Sequence, residues 1–253
     1  MFTKERHAQI IEMLQDGGKV KVKELSELFQ VSEDCIRKDL KQLESKNLCK
    51  RVYGGAMVDS DLLLTRNIFE RKDQDKDVKK EIAQKAYALI RDGETIFLDV
   101  STTNIYLAQL LARGEKHCIV ISNMIDILQI LAKNPLLTVI GTGGNVNLEL
   151  NGFVGALTKH ILEQHTFDRC FIGTLGVDKS FQYLTTFDLD DGLIKECVIK
   201  NSLHNYVVMD SHKFTQAGNY KFIKLEAIDF IITDSKMSEE VRKNLHKKQI
   251  KYM

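Results

Sequence analysis

Val22-Lys23-Glu24-Leu25-Ser26-Glu27-Leu28-Phe29-Gln30-Val31-Ser32-Glu33-Asp34-Cys35-Ile36-Arg37-Lys38-Asp39-Leu40 decides how the front of this chain is read. The pattern predicts two short helices with a tight turn between them. Leu25, Leu28 and Phe29 fall at i, i+3 and i+4, which gives the first helix one apolar face. Val31 is expected as a buried turn residue. Ser32 suits an N-cap, where a hydroxyl accepts from a free backbone N–H of the next helix. Glu33 and Asp34 then occupy the first turn, where the helix dipole favours negative charge. Ile36, Leu40 and Leu43 carry the inward face onward, while Arg37, Lys38 and Lys41 point away from it. A helix, a turn and a second helix with a basic outer face is the pattern of a DNA-reading unit. The competing reading is an ordinary three-helix core with solvated charges, and the flanking sequence weighs against it.

Upstream, residues 3–16 predict a helix with Thr3 as N-cap, an apolar face of Ile10, Ile11, Met13 and Leu14, and a stop at Gly17-Gly18. Lys19 to Lys23 alternates basic residues with valine, as a short strand would. Downstream, Leu48, Lys50 and Val52 alternate ahead of Gly54-Gly55, which predicts a small β-hairpin. Helix, short strand, helix-turn-helix and hairpin is the order of a winged helix. The wing would carry Lys50, Arg51 and Tyr53 to phosphates or the minor groove.

Here the sequence resembles a known family. Val31-Ser32-Glu33-Asp34-Cys35-Ile36-Arg37-Lys38-Asp39-Leu40-Lys41-Gln42-Leu43-Glu44, followed by Arg51-Val52-Tyr53-Gly54-Gly55-Ala56, looks like the signature of the DeoR family of bacterial transcriptional regulators. Cys35, Lys38 and Tyr53 stand where that pattern has Thr, Arg and His. Cys35 loses a hydroxyl that could meet a phosphate or base edge. Lys38 keeps its charge but loses the planar fork of arginine. The expected DNA-binding set is Ser32, Cys35, Arg37, Lys38, Lys41, Arg51 and Tyr53.

Residues 59–76 mix charged and amide residues with Leu62-Leu63-Leu64 and are expected to be a connector between a DNA-binding domain at 3–58 and a second domain at 77–253. In the second domain, residues 77–91 predict a helix buried through Ile82, Ala83, Ala86, Leu89 and Ile90. From Thr95, short apolar strands (95–99, 118–122, 136–141, 169–173, 206–210, 230–233) alternate with helices (103–111, 124–133, 156–164, 190–203, 238–247). That alternation predicts an α/β fold with a largely parallel sheet covered on both faces.

In open α/β sheets, ligands bind beyond the carboxyl ends of the strands. Polar residues gather at those ends: Asp99 to Asn104, Ser122-Asn123, Gly141 to Asn145 with Gly143 and Gly144, Gly173 to Gly176, and Asp210 to Lys213. Free N–H groups and hydroxyls at a helix N-terminus suit an anion, and a phosphate fits Ser101, Thr102, Thr103 and Asn104. Lys213 could add a cation. The family resemblance continues through Asp92-Gly93-Glu94-Thr95-Ile96-Phe97-Leu98-Asp99-Val100-Ser101-Thr102-Thr103, Phe171 to Gly176 and Val207 to Phe214. It implies a sensor domain similar in fold to ribose-5-phosphate isomerase that responds to a phosphorylated sugar or related metabolite. On that similarity Ser101, Thr102 and Thr103 would hold phosphate, Asp99 and Asn123 sugar hydroxyls, and Lys213 the anion. Ser101 replaces a family glycine where the backbone should approach closely.

The alternative is a sugar-phosphate isomerase carrying a DNA-binding domain. Its base would come from Asp99, Asp188, Asp190, Asp191 or Glu196. Asp190 and Asp191 are expected to open a helix, and Glu196 to lie with Lys195 and Lys200 on a solvated face. Gly173-Thr174-Leu175-Gly176 lacks the acids of the loop that isomerases resembling it carry there, which favours a regulator with no catalytic residues.

The composition fits. The chain has 253 residues, 43% hydrophobic, 28% charged, with a net charge of +1, so basic residues for DNA must act locally. The five cysteines are odd in number and show no Cys-x-x-Cys spacing. That predicts reduced thiols in a cytoplasm and no zinc site. No metal or cofactor is expected. No apolar run reaches the length of a membrane span, and the start of the sequence lacks a signal-peptide stretch. A twofold-related operator would require a homo-oligomer, a dimer or tetramer.

Overall fold

A computed structural model describes residues 3–17, 19–45, 49–57, 68–72 and 74–253. The chain divides into two compact units, residues 1–65 and 66–253.

The first unit runs α1 (Thr3–Gly17), β1 (Lys19–Lys21), α2 (Val22–Phe29), α3 (Glu33–Ser45), β2 (Lys50–Val52) and β3 (Gly55–Met57). β3 lies between β1 and β2, antiparallel to both. This is a winged helix-turn-helix. The strand expected over 19–23 ends at Lys21, because Val22 already turns inward as the first residue of α2. The wing turns at Tyr53-Gly54, with Gly54 at φ +79°. Gly55 admits no side chain, since a Cβ there would lie 2.1 Å from the Val20 carbonyl oxygen. Leu48, Val58 and Leu62 to Leu64 lie outside the described residues.

Ile10, Leu14, Val20, Val22, Leu25, Ile36, Leu40, Leu43 and Ala56 form the core. Two expectations need correction. Leu28 is 59% exposed, because the inward face of α2 is set by Val22, Leu25 and Phe29 and Leu28 points well off it. Val31 is half-buried, packed on the edge of the core.

Asp39 is buried, although it sits between exposed Lys38 and the core residue Leu40. It accepts from Arg6 Nε at 2.6 Å, Arg6 Nη2 at 3.1 Å and His7 Nε2 at 3.0 Å. Burial pushes its pKa up, but the bonds from Arg6 and His7 outweigh that and hold it below the ordinary value. The pair ties α1 to α3.

The second unit runs α4 (Ile68–Lys72), α5 (Lys76–Leu89), β4 (Thr95–Leu98), α6 (Thr102–Arg113), β5 (Cys118–Ser122), α7 (Ile125–Leu131), β6 (Leu137–Gly141), β7 (Asn145–Asn147), β8 (Gly152–Val154), α8 (Ala156–Glu163), β9 (Phe167–Gly173), β10 (Gly176–Val177), β11 (Tyr183–Thr186), α9 (Leu189–Lys200), β12 (Ser202–Val208), β13 (Tyr220–Lys224), β14 (Phe230–Ile232) and α10 (Glu239–Lys247). Six strands form a parallel sheet in the order β14-β12-β9-β4-β5-β6. One face packs on Ile82, Ala86, Leu107 and Ile127 of α5, α6 and α7. The other packs on Leu162, Ile194, Val198 and Leu245 of α8, α9 and α10. The chain runs outward from β4 to β6, then returns to β9 beside β4 and runs outward to β14. The topological switch point therefore lies between β4 and β9.

α9 ends at Lys200 and β12 starts at Ser202, earlier than the expected 203 and 206, because Ser202 already pairs with Phe167 of β9. Residues 68–72, inside the expected connector, form α4, and Ile68 is buried. Two small antiparallel pieces had no signal in the sequence: the β7–β8 hairpin and the β10-β11-β13 sheet. Strands of two to five residues are too short to show a clear period. No described helix is long and apolar enough to cross a membrane.

Asp39→Ala leaves Arg6 buried without its partner and should cost the first unit about 3–5 kcal/mol. Hydrogen exchange of α1 and α3 in the full chain reads this directly. A lowered carboxylate pKa contributes stability above its ordinary value, about 4, and loses it as the pH falls below. The gap between wild type and variant should therefore narrow on acidification through that range. Unchanged protection at neutral pH would show that the ion pair does not hold the two helices.

Candidate functional site

The basic face of the first unit is built on α3 and the wing. Ser32 caps α3, its Oγ accepting from the Cys35 N–H at 3.2 Å. Ile36, Leu40 and Leu43 turn inward, which leaves Arg37, Lys38 and Lys41 exposed. Cys35 is half-buried, and its Sγ accepts from Arg6 Nη2 at 3.5 Å. Tyr53 stands fully exposed at the wing tip, beside exposed Lys50 and Arg51. The arginines are already engaged. Arg37 donates to Asp34 at 2.7 Å and Glu33 at 2.6 Å, and Arg51 to Glu44 at 2.6 Å. Exposed pairs of this kind are worth about 0–1 kcal/mol, so DNA phosphates can displace them. Lys38 and Lys41 form no ion pair with another described residue.

In the second unit, the switch point brings Asp99 at the end of β4 against Gly173 at the end of β9. Asp99 is wholly buried. Its Oδ2 accepts from the Gly173 N–H at 2.8 Å and from Lys195 Nζ at 2.6 Å. Lys195 also donates to Asp191 Oδ1 at 2.6 Å, and Thr186 Oγ1 donates to Asp191 Oδ2 at 2.8 Å. Asp191 lies in the first turn of α9 as expected, but it is buried, and Lys195, expected on a solvated face, is buried with it in this network. Asp188 provides the helix cap, accepting from the Asp191 N–H at 2.8 Å. Burial raises the Asp99 pKa, and Lys195 offsets that only in part. Burial works against the charge on Lys195, but Asp191 and Asp99 outweigh it and hold the ammonium.

Ser101 caps α6, its Oγ accepting from the Thr103 N–H at 3.2 Å. Its φ of −159° is ordinary extended backbone, so a side chain is tolerated in place of glycine. The space is taken from Gly173, where a Cβ would lie 2.6 Å from the Ser101 Cβ. Thr102 and Thr103 are buried behind it. Asn104 stitches β4 to β9, donating to the carbonyls of Asp99 at 3.0 Å and Phe171 at 2.8 Å. Asn123 holds β8 through its backbone, its carbonyl accepting from the Phe153 N–H at 2.7 Å, and its Nδ2 donates to the Phe153 carbonyl at 3.2 Å. Gly143 and Gly144 turn with φ of +62° and +120° against Thr158, whose Oγ1 donates to the Gly143 carbonyl at 2.8 Å. Lys213 donates to the Thr174 carbonyl at 2.8 Å and stands 3.9 Å from Asp210.

Sequence reasoning missed Arg71 and Lys79. Arg71 comes from α4, inside the expected connector, and Lys79 from an ordinary charged helix turn. Both lie within electrostatic reach of Asp210. Burial lowers the Lys79 pKa to about 8, and Lys213 and Arg71 push it the same way. Several buried polar atoms find no partner among the described residues: Asp99 Oδ1, Asn104 Oδ1, Asn123 Oδ1, Thr142 Oγ1 and Arg71 Nε among them. Such atoms cost about 1–3 kcal/mol each when unsatisfied. Asp99, Asn123 and Thr142 directly follow β4, β5 and β6. No group of three or more His, Cys, Asp and Glu residues able to hold a metal occurs among the described residues.

The DeoR-like helix-turn-helix domain model matches residues 6–61, and the DeoR C terminal sensor domain model matches residues 74–235. The chain belongs to the DeoR family. It is 30% identical over 242 residues to the lactose phosphotransferase system repressor of Lactococcus lactis, covering 95% of this chain and 94% of that protein. It is 30% identical over 231 residues to the glycerol-3-phosphate regulon repressor of Escherichia coli, covering 91% and 90%. These relatives are regulators, and as a DeoR-family member this chain is a DNA-binding transcriptional regulator rather than an enzyme. A ribose-5-phosphate isomerase structure matches with a TM-score of 0.40 and 17% identity over 55% of this chain and 53% of that one. A likeness that slight carries no argument about the sensor domain.

DNA selected by this DeoR-family chain from a random pool gives a site on which the basic face can be tested. Arg37→Ala should cost about 1–3 kcal/mol and relax preference at one base position. Lys41→Ala should weaken every sequence alike and reduce the salt slope by about 1. Titrations at several salt concentrations separate these effects. Unaltered binding by both variants would move the DNA face elsewhere.

Proposed function

We propose that this chain is a cytoplasmic repressor of genes for sugar or related carbon metabolism, released from its operator by a phosphorylated sugar or related metabolite. It would act as a homo-oligomer on a twofold-related operator. The DNA face would be Ser32, Cys35, Arg37, Lys38, Lys41, Arg51 and Tyr53. The effector face would be Asp99, Ser101 to Asn104, Asn123, Gly143, Gly144 and Lys213. The observation that carries this reading is that hydroxyls, amides and unpaired buried polar atoms recur after β4, β5 and β6, beside the switch point between β4 and β9. Ligands of open α/β sheets bind at such a switch point. The names of the two repressors above, one of a lactose system and one of a glycerol-3-phosphate regulon, support the class of gene and metabolite.

Effector and operator would be linked through one equilibrium between two arrangements of the oligomer. A ligand shifts that equilibrium only by its differential affinity, and operator DNA must change effector affinity by the same factor. Typical coupling is about 1–3 kcal/mol.

A thermal-shift screen of pentose and hexose phosphates identifies a working ligand, since binding raises apparent stability. Thr102→Val with Thr103→Val removes two hydroxyls at nearly constant shape. Operator titrations with and without that ligand should show release for wild type and normal, unresponsive binding for the double variant. Release of the variant at the wild-type ligand concentration would place the sensing loop elsewhere.

A further inference from the structure

α4 opens the second unit, and its Arg71 turns inward. The Nε is sealed from solvent and meets no hydrogen-bond partner among the described residues. Other groups help to dock the helix. The Ile68 N–H donates to the Glu149 carbonyl at 2.8 Å, and Lys72 pairs with Asp126 at 3.3 Å. Lys79 Nζ donates to the carbonyls of Arg71 at 2.5 Å and Gln74 at 2.6 Å. Tyr106 donates to the Lys72 carbonyl at 3.4 Å. The fold therefore places Arg71 within electrostatic reach of Asp191 and Asp210, with its Nε buried and unbonded among the described residues.

Burial outweighs the counter-charge that the carboxylates around it supply. Asp99 and Asp191 are both taken by Lys195, at 2.6 Å each. Arg71, Lys79 and Lys213 all lie within electrostatic reach of Asp210, with Asp191 also acting on Arg71 and Asp75 on Lys79. Burial and mutual repulsion lower the proton affinity of Lys79 and Lys213. Buried cations short of counter-charge are costly, and an entering anion removes that cost. A phosphate monoester carries about two negative charges near neutral pH and three acceptor oxygens. The arginine fork and two ammonium groups suit that shape and charge.

We propose that α4 is a strap held by ligand: Arg71, with Lys79 and Lys213, takes the phosphoryl group of a phosphate monoester and so fastens the opening segment of the second unit onto the strand ends. This rests on the effector-site reading above and adds Arg71 and Lys79 to it. The effector is then gripped by the part of the chain that follows the DNA-binding unit.

The test uses the full chain, with inorganic phosphate and a panel of pentose and hexose phosphates as probes, read by titration calorimetry. Arg71→Ala should weaken binding about 10- to 100-fold, the range for losing charge-assisted bonds. Arg71→Lys should recover part of that loss. Lys72→Ala, which removes a partly exposed charge of the same helix, should bind as wild type does. Asp210→Asn removes the competing carboxylate and should tighten binding several-fold, a gain that misfolding cannot produce. Bound phosphate ester should also slow tryptic cleavage after Lys72 in wild type and not in Arg71→Ala. Wild-type affinity in Arg71→Ala would overturn the strap and leave operator release standing. Arg71-dependent binding with no effect on operator affinity would sustain the strap and overturn the proposed function. Binding of gluconate or citrate in preference to every phosphate would overturn the phosphoryl assignment, and so would no binding of any probe by wild type.

Discussion

The second unit depends on a wholly buried carboxylate. Asp99 ends β4, receives the Gly173 N–H from β9 and binds Lys195 of α9. Lys195 holds Asp191, and Asp191 holds Thr186 of β11. One network thus joins the two central strands, a covering helix and the small antiparallel sheet at the switch point. Stability alone does not call for it, because well-packed apolar residues serve a core as well or better. What the network supplies is a fixed field. Two carboxylates held by one ammonium leave local negative charge, and that charge makes it affordable to keep Arg71, Lys79 and Lys213 nearby. The cations are concentrated there without any of the three being needed to hold the sheet.

Much of this was legible in the sequence, and the parts that were not share a cause. The apolar strands, the helix start at Ser32 and the wing hairpin are local, and their side chains announce them, although the turn falls at Tyr53-Gly54, one residue before the expected Gly54-Gly55. Lys195 and Asp191 are not local. At i and i+4 on a helix they look like a surface pair, and only the return of the chain to β9 carries them inside. Leu28 failed for the opposite reason: an i+3 spacing was counted from Leu25 alone, when Val22 sets the buried face of α2. Arg71 was hidden because five helical residues in a charged stretch leave no period to read. A buried arginine announces itself only through what surrounds it.

In the DNA-binding unit the motif residues divide by job. Asp39 belongs to the signature stretch, yet it serves the fold, locking α3 to α1 through Arg6 and His7. Its neighbours Arg37 and Lys38 face outward and are available to DNA. Arg37 and Arg51 rest on their own acids, Glu33, Asp34 and Glu44. A guanidinium so held is pre-positioned, but some of its attraction for phosphate is already spent. The basic face is thereby weakened without being removed.

That weakness matters for control. With a net charge of +1 over the whole chain, long-range attraction to DNA is small and affinity must come from a few well-placed contacts. A binder that relied on a large basic surface would resist release, because each phosphate contact adds to affinity regardless of sequence. Here a coupling of about 1–3 kcal/mol, a factor of roughly 5 to 150, is a sizeable share of what those contacts can provide. A modest free-energy difference at the strand ends is then enough to decide occupancy at the operator. On the proposed reading, the economy of the DNA face and the buried cations near the strand ends would be complementary: one would keep the grip light, and the other would give an anion something to bind.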